Sequence, residues 1–178
     1  MDVRAAARLI QDAVPPGPAT WADLGAGTGT FTLALASRLG PNGRIIALDS
    51  DVAALAALRV VIKRAALGDR VEVREGDFRE RLDVPPLDGA LLANALHFVP
   101  ENEQADVLAR VAALLRPRGR LVVVDYDGRR ANAWVPFPVS KHRLAELLAT
   151  LRLPAATMVG TRPSLYGGVL YAAVSVLD

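Results

Sequence analysis

A chain of 178 residues, 52% hydrophobic and 22% charged with a formal net charge of +2, is long enough to bury one sizeable core and too apolar to stay disordered. It contains no cysteine, which excludes disulfides, thiolate metal sites and cysteine nucleophiles, and no metal site is expected. The basic residues are nearly all arginine and alternate with acids, as in Arg74-Glu75 and Arg79-Glu80-Arg81, so nucleic acid is not indicated.

No apolar run reaches the roughly 20 residues that cross a bilayer. Asp2, Arg4 and Arg8 at the N-terminus do not form a secretion signal, so the expectation is a cytoplasmic protein with no membrane contact.

Taken in order, residues 1–14 place Val3, Ala7, Ile10 and Val14 at helical spacing, and Pro15-Pro16-Gly17-Pro18 ends that helix. Residues 1–18 therefore read as a helix and proline-rich linker ahead of a core at 19–178, all within one domain. A first strand is expected over 20–24, running into Gly25-Ala26-Gly27-Thr28-Gly29, followed by a helix over 30–39 and a turn at Pro41-Asn42-Gly43. Strand two, 44–48, ends in Asp49, and a helix over 51–67 is closed by Gly68. Strands three and four fall at 71–74 and 89–93, and a helix over 101–115 is stopped by Pro117 and Gly119. The run 121–124 predicts a fifth, fully buried strand. After a loop at 126–139, Ser140 caps a helix, and strands near 157–160 and 169–176 complete the pattern. Strands alternating with helices give an α/β, doubly wound, mostly parallel seven-stranded sheet with helices on both faces and the last strand antiparallel.

A strand ending in a glycine-rich turn that opens a helix is a place where backbone N–H groups approach a ligand closely. The spacing is G-x-G-x-G, at Gly25, Gly27 and Gly29, and Thr30 stands where the dinucleotide fingerprint wants Gly or Ala. A nicotinamide or flavin cofactor is therefore disfavoured. The segment Ala22-Asp23-Leu24-Gly25-Ala26-Gly27-Thr28-Gly29 instead resembles the D-L-G-x-G-x-G motif of class I S-adenosylmethionine-dependent methyltransferases. The resemblance extends through Asp49, Gly76-Asp77-Phe78, Asn94-Ala95-Leu96-His97-Phe98 and Leu115-Arg116-Pro117-Arg118-Gly119-Arg120, spanning residues 19–177, and is nearest to the small-molecule and quinone-biosynthesis group.

The resemblance implies S-adenosylmethionine as cofactor and S-adenosylhomocysteine as product. A ribose offers two vicinal hydroxyls, and the Asp49 carboxylate is the candidate acceptor for both. By resemblance Asp77 accepts from the adenine amino group, the backbone at Phe78 reads the ring nitrogen, and Asp23 orients the loop and helps hold the methionine amino group. Gly25, Ala26, Gly27, Gly29, Ser50 and Asn94 complete the expected cofactor set. The alternatives are local: Asp23 capping nearby N–H groups, Asp49 capping the next helix, Asp77 a solvated turn residue.

Methyl transfer from a sulfonium is an in-line displacement, and a base is required only where the acceptor must lose a proton. Asn94, His97, Tyr126 and Asp127 follow strands four and five, with His97 the preferred base, Tyr126 the second catalytic candidate, and packing or cofactor contact the other reading of His97. An Asn/Asp-Pro-Pro-Tyr motif is missing, and the carboxylates of a metal-assisted catechol site do not assemble. A small-molecule acceptor remains. A noncatalytic S-adenosylmethionine-binding module and an RNA methyltransferase are the alternatives, the latter requiring Arg116, Arg118, Arg120, Arg129 and Arg130 to converge. An aminopropyltransferase would need acidic residues that Asn94-Ala95-Leu96-His97 lacks. Cover for the acceptor is expected from residues 1–18, from Trp134, Pro136 and Phe137, and from Arg162, Tyr166, Gly167 and Gly168. So thin a lid suggests a bulky acceptor or a homodimer that completes the pocket.

Overall fold

The computed structural model describes residues 1–164 and 167–178. Five helices and seven strands follow in the order α1 (Val3–Leu9), β1 (Thr20–Leu24), α2 (Thr30–Leu39), β2 (Arg44–Asp49), α3 (Val52–Arg64), β3 (Val71–Glu75), β4 (Leu87–Ala93), α4 (Gln104–Ala112), β5 (Leu115–Asp127), α5 (Lys141–Thr150), β6 (Thr157–Pro163) and β7 (Val169–Val176). They form one seven-stranded sheet of order β3-β2-β1-β4-β5-β7-β6, in which β7 runs antiparallel to both its neighbours. The strand order reverses between β1 and β4, which opens a crevice beyond the carboxyl ends of these strands.

The central strands are buried on both faces, as a parallel sheet requires. Trp21, Leu91, Val122 and Val124 pack with Leu9, Leu35, Leu39, Leu55 and Leu58 from α1, α2 and α3. Ala22, Leu24, Leu92, Leu121 and Val123 pack with Val107, Leu108, Val111, Leu144 and Leu148 from α4 and α5. Helix α1 is shorter than 1–14, but Ile10, Ala13 and Val14 beyond it are buried and belong to the first of these clusters. Among the described residues no helix is long and apolar enough to cross a membrane.

The largest departure from the sequence pattern is β5. Helix α4 ends at Ala112, and Leu115 already pairs with Leu87, after which the register shifts so that Arg120 pairs with Gly89. Pro117, Arg118 (φ 65°) and Gly119 form a bulge within the strand, where they had read as a helix stop. Its free groups pair with the chain end: Arg118 N–H donates to Leu177 O at 3.0 Å, and Leu177 N–H to Gly119 O at 2.9 Å. At its other end β5 extends through Asp125, Tyr126 and Asp127, which pair with Tyr171, Leu170 and Val169. That extension carries Asp125, which meets His97.

Candidate functional site

A cleft of about 610 Å³ opens at the carboxyl edge of the sheet, walled by the glycine loop after β1 and the segments that follow β2, β3 and β4. Of the expected cofactor residues, Gly25, Ala26, Gly27, Asp49, Ser50, Asp77, Phe78 and Asn94 line it, together with Thr28 and Phe98 from within the motifs and Met1, Phe31, Arg79 and others that the sequence pattern did not single out. Asp23, Gly29, His97 and Tyr126 are not among the lining residues.

The glycine loop turns through φ values of 80° at Gly25, 52° at Gly27 and 96° at Gly29, a region that L side chains avoid. A Cβ at Gly25 would lie 2.6 Å from the Ala95 Cβ, whereas one at Gly27 would project into open space. Four N–H groups of the loop bond within the protein. Gly25 and Ala26 donate to Leu48 O at 2.8 and 3.0 Å, Gly29 to Ala26 O at 3.0 Å, and Gly27 to Asp49 Oδ2 at 2.7 Å. These four donors fix the loop's shape, and the loop forms one wall of the cleft.

Asp49 sits at the end of β2 and accepts from Gly27 N–H through one oxygen and from Asp51 N–H, at 2.9 Å, through the other. Asp51 is the residue that caps α3, accepting from Ala53 and Ala54 N–H, so Asp49 is held facing the cleft without capping that helix. Asp23, on β1, is fully buried. The Thr32 hydroxyl donates to its Oδ2 at 2.6 Å, and its Oδ1 has no partner. Burial pushes its carboxyl up to about 7, opposed by the Thr32 hydrogen bond and reinforced by the nearby charge of Asp49. Asn94 closes β4 in a left-handed conformation (φ 54°), its N–H donating to Val124 O at 2.8 Å, and its Oδ1 is likewise buried without a partner.

Asp77 follows β3 and forms an ion pair with Arg79 at 2.5 Å, which holds its carboxyl below the usual carboxylate range. His97 lies in a 3₁₀ turn, Leu96–Phe98, and is 2% exposed. Its Nδ1 is 2.9 Å from Oδ1 of Asp125, which is itself 0% exposed and also accepts from Tyr126 N–H at 2.8 Å. Burial raises the Asp125 carboxyl, with the His97 contact pulling it back. The imidazole lies under Phe98, 4.6 Å between ring centroids, and 6.0 Å from the Tyr126 ring. Phe98, 54% exposed, lines the cleft together with Phe31 and Phe78.

The expected acceptor cover is arranged otherwise. A tight turn at Asn132–Val135 throws Trp134 outward to 80% exposure. Phe137 N–H is tied to His97 O at 3.0 Å, so the loop is pinned beside the 3₁₀ turn. Arg162 lies in a groove between α1 and β6, and Tyr166 lies outside the described residues. Lys141 pairs with Asp127 at 3.3 Å. Arg116 pairs with Asp88 at 2.7 Å near the start of β5, at the opposite edge from the cleft, so Arg116, Arg118 and Arg120 in the first half of that strand do not converge on it.

A doubly wound sheet with a glycine-walled, carboxylate-rimmed cleft at its switch point places that cleft where open α/β folds hold small ligands. The chain belongs to the methyltransferase domain family, whose model matches residues 22–119. It is similar to carboxy-S-adenosyl-L-methionine synthase of Chromohalobacter salexigens, 29% identical over 141 residues, 69% of this chain and 52% of that protein. It is also similar to a probable cobalt-precorrin-6B C(15)-methyltransferase (decarboxylating) of Methanothermobacter thermautotrophicus, 34% identical over 125 residues, 69% of this chain and 59% of that one. In structure it resembles the 1,6-didemethyltoxoflavin-N1-methyltransferase of Burkholderia thailandensis, solved with 1,6-didemethyltoxoflavin and S-adenosylhomocysteine bound. That match has a TM-score of 0.74 and 26% identity over 99% of this chain and 78% of that chain. The chain spans about half the length of the curated relatives it matches.

Proposed function

We propose that this chain, acting as one domain, binds S-adenosylmethionine in the glycine-walled cleft and directs its methyl group to a small-molecule acceptor. The observation that carries the reading is the pair of buried, unpartnered oxygens, Asp23 Oδ1 and Asn94 Oδ1, at the carboxyl ends of adjacent strands. Buried acceptors without partners cost stability unless a donor arrives, and the ammonium of a methionine moiety is a donor of that kind. When bound, the cofactor supplies a sulfonium-activated methyl group. The chain's own residues do the rest: Asp49, beside Ser50, accepts from the ribose hydroxyls, Asp77 from the adenine amino group, and Phe78 and the glycine loop wall the nucleoside.

The heterocycle bound by the Burkholderia neighbour supports a small-molecule acceptor. His97, held by Asp125 with Tyr126 beside it and covered from the cleft by Phe98, is the proton acceptor for a hydroxyl or amine substrate that displaces the Phe98 side chain. The reading carries a cytoplasmic location and, as one way of roofing the open cleft, a homodimer.

Asp49→Ala removes the ribose acceptor and the anchor of Gly27 together. Affinity for S-adenosylmethionine should fall about tenfold or more, the scale of a lost charge-assisted hydrogen bond. Calorimetric affinities within about twofold of wild type would remove Asp49 from the site. The proposal as a whole is tested by incubating the protein with methyl-labelled S-adenosylmethionine and a panel of small hydroxyl and amine acceptors. Label moving to a small molecule is the expected result, and tight cofactor binding with no transfer across the panel would favour a noncatalytic binding module.

A further inference from the structure

Arg79 lines the cleft beside Asp77 and Phe78, although its charge pattern in the sequence reads as ordinary surface. Its side chain closes on the Asp77 carboxylate. Arg79 Nε lies 3.0 Å from Oδ1 and 2.9 Å from Oδ2, Nη2 lies 2.5 Å from Oδ2, and the Arg79 backbone N–H donates to Oδ1 at 2.9 Å. Because the single Nε hydrogen is shared, three donor hydrogens meet roughly four acceptor positions on the carboxylate. About one position is left for a ligand.

A half-exposed ion pair two residues apart in sequence contributes little to stability. Its consequence here is geometrical, because the planar guanidinium fixes the plane of the carboxylate in a way that a point charge does not. Glu103 and Glu80 attract the same guanidinium as well.

We propose that Arg79 is a positioning residue for purine recognition: by chelating Asp77 it presents one fixed acceptor lobe to the cleft, so that a 6-amino purine is accepted and a 6-oxo purine refused. The proposal rests on the cofactor reading above. A 6-oxo purine sets a carbonyl oxygen against a carboxylate oxygen, acceptor against acceptor, with no donor between them. Freed from Arg79, the Asp77 carboxylate rotates and its acceptor lobe no longer stands fixed against the purine 6-position, so a 6-oxo purine is accommodated with water between the two oxygens. Discrimination between the two bases is then lost, even where overall affinity survives.

The test compares calorimetric affinities for S-adenosylhomocysteine and S-inosylhomocysteine in the wild type, Arg79→Ala, Arg79→Lys, Asp77→Asn and the Arg79→Ala, Asp77→Asn double variant. The wild type should prefer the adenine compound by about tenfold or more, and Arg79→Ala should bring that preference to about threefold or less. Arg79→Lys should be intermediate, because an ammonium lacks the fork. The Arg79→Ala, Asp77→Asn double variant should discriminate no worse than either single one, as expected of residues acting as a unit. If Arg79→Ala weakens both ligands equally and keeps the full preference, Arg79 merely supports the loop and the proposal is overturned. A wild type that binds S-adenosylhomocysteine without preferring it over S-inosylhomocysteine also overturns it, while sparing the cofactor reading. A wild type that binds neither compound overturns both.

Discussion

Replacing His97 with alanine should lower turnover by about two decades or more while S-adenosylmethionine affinity stays within about threefold of wild type, because a positioned base contributes to the reaction and not to the cofactor's ground-state binding. Asp125 accepts from one ring nitrogen of His97, Nδ1, at 2.9 Å, which fixes the tautomer and leaves Nε2 as the basic nitrogen. Alanine at 97 also strands the buried Asp125 carboxylate, whose Oδ2 already has no partner, and orphaning one member of a buried pair costs about 3 kcal/mol or more. His97→Gln separates the two effects. It retains a donor for Asp125 but no base, so it should fold more stably than the alanine variant and turn over no faster. Single-turnover rates check this, and a glutamine variant with near-normal turnover would show that the pair serves packing alone. Asp125→Asn should lose most of the rate with little change in cofactor affinity, by permitting the wrong tautomer.

The second large effect concerns Asp23. Its carboxyl is pushed from an ordinary 3.8 up to about 7 in the folded protein, so between those values the folded state holds a proton that the unfolded state has released. Stability contributed by this group is therefore fully present below about pH 4 and is lost as pH rises through 7. The rise from 3.8 to about 7, at about 1.4 kcal/mol per tenfold change in proton affinity, sets an upper bound of about 4 kcal/mol. Asp23→Asn keeps the shape and an oxygen for the Thr32 hydroxyl but cannot ionise. It should match the wild type near pH 4 in stability and in S-adenosylmethionine affinity, exceed its stability by up to about 4 kcal/mol at pH 8, and bind S-adenosylmethionine more weakly there. Urea denaturation at the two pH values checks the first part. Equal stability of the two proteins at pH 8 would mean that Asp23 ionises in the fold without penalty.

Much of this architecture is legible in the sequence because parallel strands buried on both faces leave apolar runs, and the turns between them carry glycine and proline. The glycine loop, Asp49, Asp77 and Asn94 stand out for the same reason, each following a recognisable strand. What escaped depends on pairing between distant segments. Pro117 and Gly119 look like a helix stop, and only the alignment of β5 with β4 and with the chain end at Leu177 turns them into a bulge. Asp125 was hidden because the apolar run ends at Val124. The alternation Leu121, Val123, Asp125 along one face of β5 was the available signal that a polar residue continues that face toward His97.

Side-chain direction in loops was the other gap. Trp134 reads as a wall of the acceptor pocket, but a local turn closed by Asn132 sends it into solvent. Phe98, next to His97 in sequence, takes the exposed aromatic position at the cleft. Arg79 resembles any residue of a mixed-charge surface until its four contacts with Asp77 are measured.

Titration of the purified protein with S-adenosylmethionine and with S-adenosylhomocysteine, followed by isothermal calorimetry, tests the central claim most directly. The arrangement of Asp23, Asp49, Asp77 and Asn94 around the glycine loop predicts saturable binding at a single site with micromolar affinity for both ligands. A folded protein that takes up neither would contradict the account and leave the cleft without its cofactor.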